Sequence, residues 1–248
     1  MATNGYHYVS SGQSPAVDRQ KSMLMATDLS RARLAPDWSN PDYLLYWHRA
    51  RNFRKCLDQL PERLLDILDV GGRIQPYRPL VETRINTYIA VDPQMEGLVD
   101  IVARGESLPF RSDKFDFVIC SQVLGYADSP QHLITEILRV LKEGALLFLT
   151  VPALSPRHHD ERWRFLPDGI DVLLKGFRNV EVIPEGYSFA GIVRTLNEGL
   201  NLRSERYLVK KALSRIVFPA TNWTGMKLDK LGRHGEHFTA NYSVIAIK

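Results

Sequence analysis

The stretch DVGGRIQPYRPL, residues 69–80, decides how this chain reads. It follows the apolar run that begins at Leu64, and two adjacent glycines, Gly71 and Gly72, stand just behind Asp69. Glycines behind a strand let the backbone turn sharply and let a ligand approach where a Cβ would intrude. A dinucleotide-binding turn asks for a third glycine, so that a helix N-terminus can offer its free N–H groups to a pyrophosphate. Gln75 and Pro76 stand there instead, and proline has no N–H to give. The turn suits a ligand that carries a nucleoside but no phosphate.

Outward from this turn, residues 64–151 alternate between strand-like and helix-like segments. The strand candidates are Leu64–Val70, Tyr88–Asp92, Leu98–Val102, Phe115–Ser121 and Ala145–Val151. Several are continuous apolar runs, the pattern of strands buried on both faces of a mostly parallel sheet. The clearest helix is Pro130–Leu141, with Ser129 as N-cap, Pro130 in the first turn and Gly144 beyond the end. The fold class is therefore α/β, Rossmann-like and doubly wound, with ligands expected at the carboxyl ends of the strands. Upstream, Tyr43, Leu44, Tyr46, Trp47, Ala50, Phe53 and Leu57 recur at helical spacing and predict an amphipathic helix within 41–60. Residues 1–40 are polar and weakly periodic and read as an arm, partly ordered at most. After residue 152 come a short helix at Pro167–Lys175, a strand at Val180–Ile183, two helical segments at 188–200 and 204–217, and a terminal apolar strand, YSVIAIK.

With 248 residues, the chain suits one domain at 41–248 with an arm and a helical insertion at 185–240. A hydrophobic share of 44% and a charged share of 24% exclude gross disorder. The net charge of +4 is too small to argue for nucleic acid, and no nucleic-acid module accompanies it. Cys56 and Cys120 are far apart, without metal-ligand spacing, which fits a reduced, cytoplasmic setting. No run is long and apolar enough for a membrane span, and the N-terminus lacks a signal peptide's apolar stretch.

The second candidate strand ends in Asp92, where a carboxylate can accept hydrogen bonds from both hydroxyls of a ribose. Together, the glycine turn and Asp92 point to an adenosine-containing cofactor, and the absent phosphate grip favours S-adenosylmethionine over a nicotinamide dinucleotide. An NAD(P)-dependent oxidoreductase is the weaker alternative, because the Tyr-x-x-x-Lys pair of short-chain members is missing from 122–151.

The stretches LLDILDVGG, YIAVDPQ, ARGESLPFRSDKFDFVICSQVL and ILRVLKEGALLFLTVP resemble class I S-adenosylmethionine-dependent methyltransferases, in particular the methyltransferase type 11 group. The specific part is LPF-x4-FD-x-V followed by RVLK-x-G. WRFLPDGIDVLL also looks like a segment of bacterial members, some of them linked to saccharide modification. The resemblance implies seven strands with the last antiparallel. It places Asp69, Gly71 and Gly72 along the methionine part of the cofactor and Asp92 at the ribose. Gly105, Glu106, Ser107 and Leu108 would border the adenine, and Ser121, Gln122 and Val123 the outer edge. Three positions depart from the family pattern: the shortened glycine motif, Arg104 where an acid is usual, and Gly125-Tyr126 where Glu-His is frequent. They support a second class of reading, a non-catalytic binding or scaffold protein on the same fold.

Methyl transfer chiefly requires an aligned nucleophile and excluded water, and a hydroxyl acceptor gains from a general base. His158 and His159 follow the fifth strand candidate and are the base candidates, with Asp160 able to orient one of them. Their spacing does not suit a metal. Trp163 and Arg164 could stack on and fork to a saccharide-like or anionic acceptor. The expected activity is methylation of a small-molecule or saccharide-like acceptor at oxygen. Arg203, Arg206, Lys210, Lys211, Arg215, Lys227, Lys230 and Arg233, interleaved with apolar residues, also allow peripheral contact with an anionic membrane surface.

Overall fold

The computed structural model describes residues 15–156, 158–231 and 237–248. Most of the polar stretch before Pro15 and Arg233 of the basic tract therefore lie outside the described residues. Seven strands form one sheet: β1 (Leu65–Val70), β2 (Ile85–Asp92), β3 (Ile101–Val102), β4 (Phe115–Ser121), β5 (Leu141–Pro152), β6 (Arg178–Pro184) and β7 (Asn241–Ile247). Their order is β3-β2-β1-β4-β5-β7-β6. Strands β1 to β5 pair in parallel, whereas β7 runs antiparallel to both β5 and β6. Strand order reverses between β1 and β4, so a crevice opens at their carboxyl ends.

The helices are α1 (Pro15–Leu34), α2 (Tyr43–Leu57), α3 (Arg78–Val81), α4 (Pro130–Val140), α5 (Pro167–Leu173), α6 (Ser188–Arg203), α7 (Tyr207–Ala212) and α8 (Phe218–Leu231). Alternate strand residues go to opposite faces. Ile67, Phe117, Ile119 and Phe148 pack under α2 with Phe53 and Cys56. Leu68, Val118, Cys120 and Leu149 pack under α4 and α5 with Leu133, Ile137 and Ile170. Among the described residues, no helix is long and apolar enough to cross a membrane.

Two helices depart from the sequence expectation. The polar arm contains α1, a helix of 20 residues. Its contact stripe is Ser22, Ala26 and Ser30, spaced by four. The Gly97 N–H donates to the Ser22 hydroxyl at 2.8 Å, Ala26 is buried, and the Ser30 hydroxyl donates to the Gln75 carbonyl at 3.4 Å. Such a stripe carries helical period but almost no hydropathy, so apolar patterning misses it. Helix α8 hides for the same reason. It packs through Phe218, Asn222 and Gly225, where a Cβ would lie 2.9 Å from Leu44 Cδ1. Asp229 of α8 supplies the N-terminal cap that α6 lacks, accepting from the Tyr187 N–H at 2.7 Å and the Ala190 N–H at 3.0 Å.

A buried ion pair ties α2 to the far edge of the sheet. Arg49 donates to both carboxylate oxygens of Glu185 at 2.8–2.9 Å, and the Ser243 hydroxyl of β7 donates to the same carboxylate at 2.8 Å. Removing one partner of such a pair strands the other charge. Arg49→Leu is expected to cost about 3–5 kcal/mol in denaturant unfolding, and Arg49→Leu/Glu185→Leu to recover much of that loss.

Candidate active site

The turn after β1 is held by one acceptor. The N–H groups of Gly71 and Gly72 both donate to the Val91 carbonyl of β2, at 2.7 and 3.2 Å. Gly71 has φ +77°, and a Cβ there would lie 2.3 Å from Val123 Cγ2, so glycine is required on both counts. At Gly72, a Cβ would lie 2.8 Å from that of Ala90 and 2.9 Å from the Asp69 carboxyl carbon. Behind the turn, the Arg73 carbonyl accepts from the Leu98 N–H at 2.9 Å, closing this loop onto the one after β2.

The crevice holds about 80 Å³ and is walled by Val70, Gly71, Val91, Pro93, Ala103, Gly105, Glu106, Val123, Tyr126 and Leu133, among others. This lining is mainly apolar, with Glu106 and backbone polar groups at its edge, as a flat heteroaromatic base requires. Asp92 ends β2 beside it. One of its oxygens accepts from the Gln94 N–H at 3.0 Å, and the other faces Arg73 Nε at 3.3 Å. The Arg73 side chain is half-exposed, so ribose hydroxyls compete with a weak, screened partner. The residues present fit an adenosine cofactor: a glycine turn too tight for any Cβ, apolar walls, and a carboxylate at the mouth.

The sequence-predicted cofactor residues separate into those in the crevice and those behind it. Gly71, Gly105, Glu106 and Val123 line it. Glu106 accepts from the Asp128 N–H at 2.8 Å, and Arg104, at the position where an acid is usual, pairs with Asp128 and lies 3.8 Å from Glu106. The Leu108 side chain is buried in the core under α4, its N–H donating to Glu136 at 2.9 Å, and the Ser107 N–H closes a turn to the Arg104 carbonyl. The Ser121 hydroxyl lies 2.9 Å from Thr150 Oγ1. Gln122 donates to the Thr150 hydroxyl at 3.0 Å and meets the Asn241 amide. Sequence reasoning did not assign Val91, Pro93, Ala103, Tyr126 or Leu133 to the cofactor, although the first three lie within the family-like stretches; these residues meet only through the sheet order.

Asp69 is fully buried, and the Tyr88 hydroxyl donates to it at 2.6 Å. Burial pushes its carboxyl up to about 7, against the pull of the Tyr88 hydrogen bond, and the Asp92 charge adds to the rise.

A second group of side chains stands across a shared wall. Gly125, at the start of that wall, would bring a Cβ 3.2 Å from Pro152 and 3.3 Å from Glu161, which explains a glycine there. Its carbonyl accepts from the N–H groups of Arg162 at 2.7 Å and Trp163 at 3.1 Å. The Trp163 indole donates to the Ala127 carbonyl at 2.8 Å and leaves its ring partly exposed. Arg164 is engaged internally: it donates to the carbonyls of Ala153, Ser155 and Pro156 and pairs with Glu161 at 2.6 Å. His159 and Asp160 pair at 2.9 Å, both on the surface. His158 instead places Nε2 3.7 Å from the buried carboxylate of Glu198 on α6. Burial pushes Glu198 up to about 7, with Arg194 opposing. Glu198 was not legible as a site residue, since it lies on a distant helix with no motif around it.

Asp69 sets a pH signature. Its folded value lies above the unfolded one of 3.8, so between about pH 4 and pH 7 the folded protein holds a proton that the unfolded chain releases. Stability therefore falls as pH rises through that window. Asp69→Asn is expected to flatten this part of the melting-temperature profile, a change on the order of 1 kcal/mol or more between its ends.

Comparisons with known proteins agree with this geometry. The family described as "Methyltransferase domain" matches residues 44–179. An uncharacterized protein of Methanocaldococcus jannaschii is 33% identical over 88 residues, covering 34% of this chain and 43% of that one. The thiol S-methyltransferase TMT1B of Rattus norvegicus is 31% identical over 91 residues, covering 33% and 37%. The matched region thus spans less than half the length of either relative. A solved structure of an S-adenosylmethionine-dependent methyltransferase from Archaeoglobus fulgidus shares the fold, with a TM-score of 0.54 at 16% identity over 89% of this chain and 99% of that one. With more than half of its length matched by the family, the chain belongs to the class I S-adenosylmethionine-dependent methyltransferases.

Proposed function

We propose that this chain transfers the methyl group of S-adenosylmethionine to an oxygen of a small-molecule or saccharide-like acceptor, with His158 as general base. The reading is carried by one chain of contacts. Tyr126 lines the cofactor crevice, its neighbour Gly125 lies against Glu161, and the Glu161 carboxylate accepts from the N–H of His158, whose ring faces Glu198. The cofactor supplies a carbon already activated by a cationic sulfur, so the protein has to bind, align and deprotonate. Asp92 holds the ribose, Gly71 and Gly72 admit the amino-acid end, and Gly105 and Glu106 border the base. Beside the wall, the partly exposed Trp163 ring offers a stacking face for a sugar, and Arg164 shapes the loop that carries His158. A thiol acceptor is the second reading, favoured by the name of the rat relative, and a thiolate depends less on a base.

Titration calorimetry with S-adenosylmethionine tests the first half. Asp92→Ala is expected to weaken binding by about tenfold or more, as for loss of a charged hydrogen-bond acceptor. Equal affinity in the variant removes the ribose assignment. A labelled-cofactor screen of hydroxyl and thiol acceptors tests the second half. With a hydroxyl acceptor, His158→Gln is expected to lower kcat by about 10²-fold while leaving cofactor affinity unchanged. A kcat that does not move takes the base role from His158.

A further inference from the structure

Beyond the wall of Gly125 and Glu161, a groove of about 1390 Å³ opens between the loop after β5 and helix α6. Its sides are Leu154, Ile192, Leu196, Leu200 and Phe238, all apolar and all exposed. Ile192, Leu196 and Leu200 follow one another at a spacing of four along one face of α6. At Gly199, in the same lining, a Cβ would meet nothing within 4 Å, so the space there is open. Exposed apolar side chains gathered along one groove suit an apolar ligand.

The groove ends at Arg203, and the chain continues into a second unpacked feature. From Tyr207 through α7 and the π-helical turn Leu213–Val217, no residue is buried. Tyr207, Leu208 and Ile216 are 74%, 75% and 70% exposed. Helical spacing stacks Leu208, Ala212 and Ile216 in one row, with Lys211 and Arg215 bordering that row and Lys210 on the far side. With Arg203 and Arg206, this segment sets five cations against the single acid Glu205. A short helical segment with an apolar row, cations bordering it and no buried residue has the physical form of an interfacial lipid-binding helix. Two such segments facing each other across a symmetric interface would bring their cations together, which disfavours a second copy as the occupant.

We propose that the methyl acceptor is an amphiphile presented at an anionic lipid surface. Tyr207–Val217 seats in the headgroup layer, and the groove beside α6 takes the acceptor's hydrocarbon chain. This deepens the methyl-transfer reading and rests on it for the word acceptor. The apolar walls match a chain, the cations match anionic headgroups, and the wall at Glu161 leads from the groove to His158 and the crevice.

Vesicle flotation and binding of dodecyl phosphate below its micelle concentration test the proposal on the full chain. The protein is expected to float with vesicles of equal parts phosphatidylcholine and phosphatidylglycerol and to stay behind with phosphatidylcholine alone. Leu208→Glu/Ile216→Glu, at exposed positions, should lose vesicle binding by about tenfold or more while keeping its melting temperature and S-adenosylmethionine affinity. Dodecyl phosphate should bind far more tightly than inorganic phosphate. Gly199→Phe should weaken it about tenfold without touching flotation, because the new ring fills open space. Equal flotation with neutral vesicles, an unaffected double variant, dodecyl phosphate no tighter than phosphate, or an unaffected Gly199→Phe each overturns the proposal. So does a dimer that the double variant dissolves, which would give the face to a second copy. S-adenosylmethionine titration of the parent protein is independent of these readouts. Its failure would strike the methyl-transfer reading alone.

Discussion

One carbonyl organises the ligand end of this molecule. The Val91 oxygen captures the amides of both Gly71 and Gly72, and in doing so pins the turn after β1 against the end of β2. That capture fixes where Asp69 and Asp92 stand relative to each other and leaves a shallow slot between β1 and β4. It also means that these two amides are already committed to the protein. The turn contributes room to a ligand rather than hydrogen bonds, the opposite of a phosphate-binding loop, whose free amides are its function. With both glycine amides committed and Pro76 carrying no N–H, the turn lacks the open amides of a phosphate grip.

Charges around this slot are arranged in local pairs. Arg73 covers Asp92, Arg104 and Arg162 bracket Asp128, and Arg164 holds Glu161 and three carbonyls of its own loop. Most of these pairs are partly solvated and individually weak. Burial raises three carboxylates here, Asp69 and Asp92 at the ends of β1 and β2 and Glu198 on α6. Asp69 accepts from a tyrosine hydroxyl and belongs to the scaffold, whereas Glu198 faces the half-exposed His158.

The central sheet was legible because its strands are apolar runs with clear punctuation. Phe115–Ser121 matches residue for residue, and the Ser129 side chain caps α4 as its chemistry requires, whereas Gly144, expected past the helix end, lies within β5, which starts directly after the helix. What stayed hidden has a common physical cause. Helices α1 and α8 pack through Ser, Ala, Asn and Gly, which fit closely without being hydrophobic. The crevice walls likewise include Pro93, Ala103 and Leu133, residues that become a site only when two loops and α4 converge. His158 carried a signal, being a histidine after a strand end. Glu198, forty residues on, carried none. Leu108 read as an adenine neighbour because it lies in a specific motif, yet that motif also encodes the core contact under α4.

The placement of β7 has a bearing on how the molecule forms. It lies between β5 and β6, so neither has a sheet neighbour on that side until β7 is inserted. Three helices separate β6 from the strand that joins it to the sheet. During synthesis the β5 edge, apolar and unpaired, must wait for Asn241–Ile247 to emerge. A nascent chain stalled before Asn241 would present an open strand edge to its neighbours, which makes the sealing of the sheet a late event and its interruption an aggregation hazard.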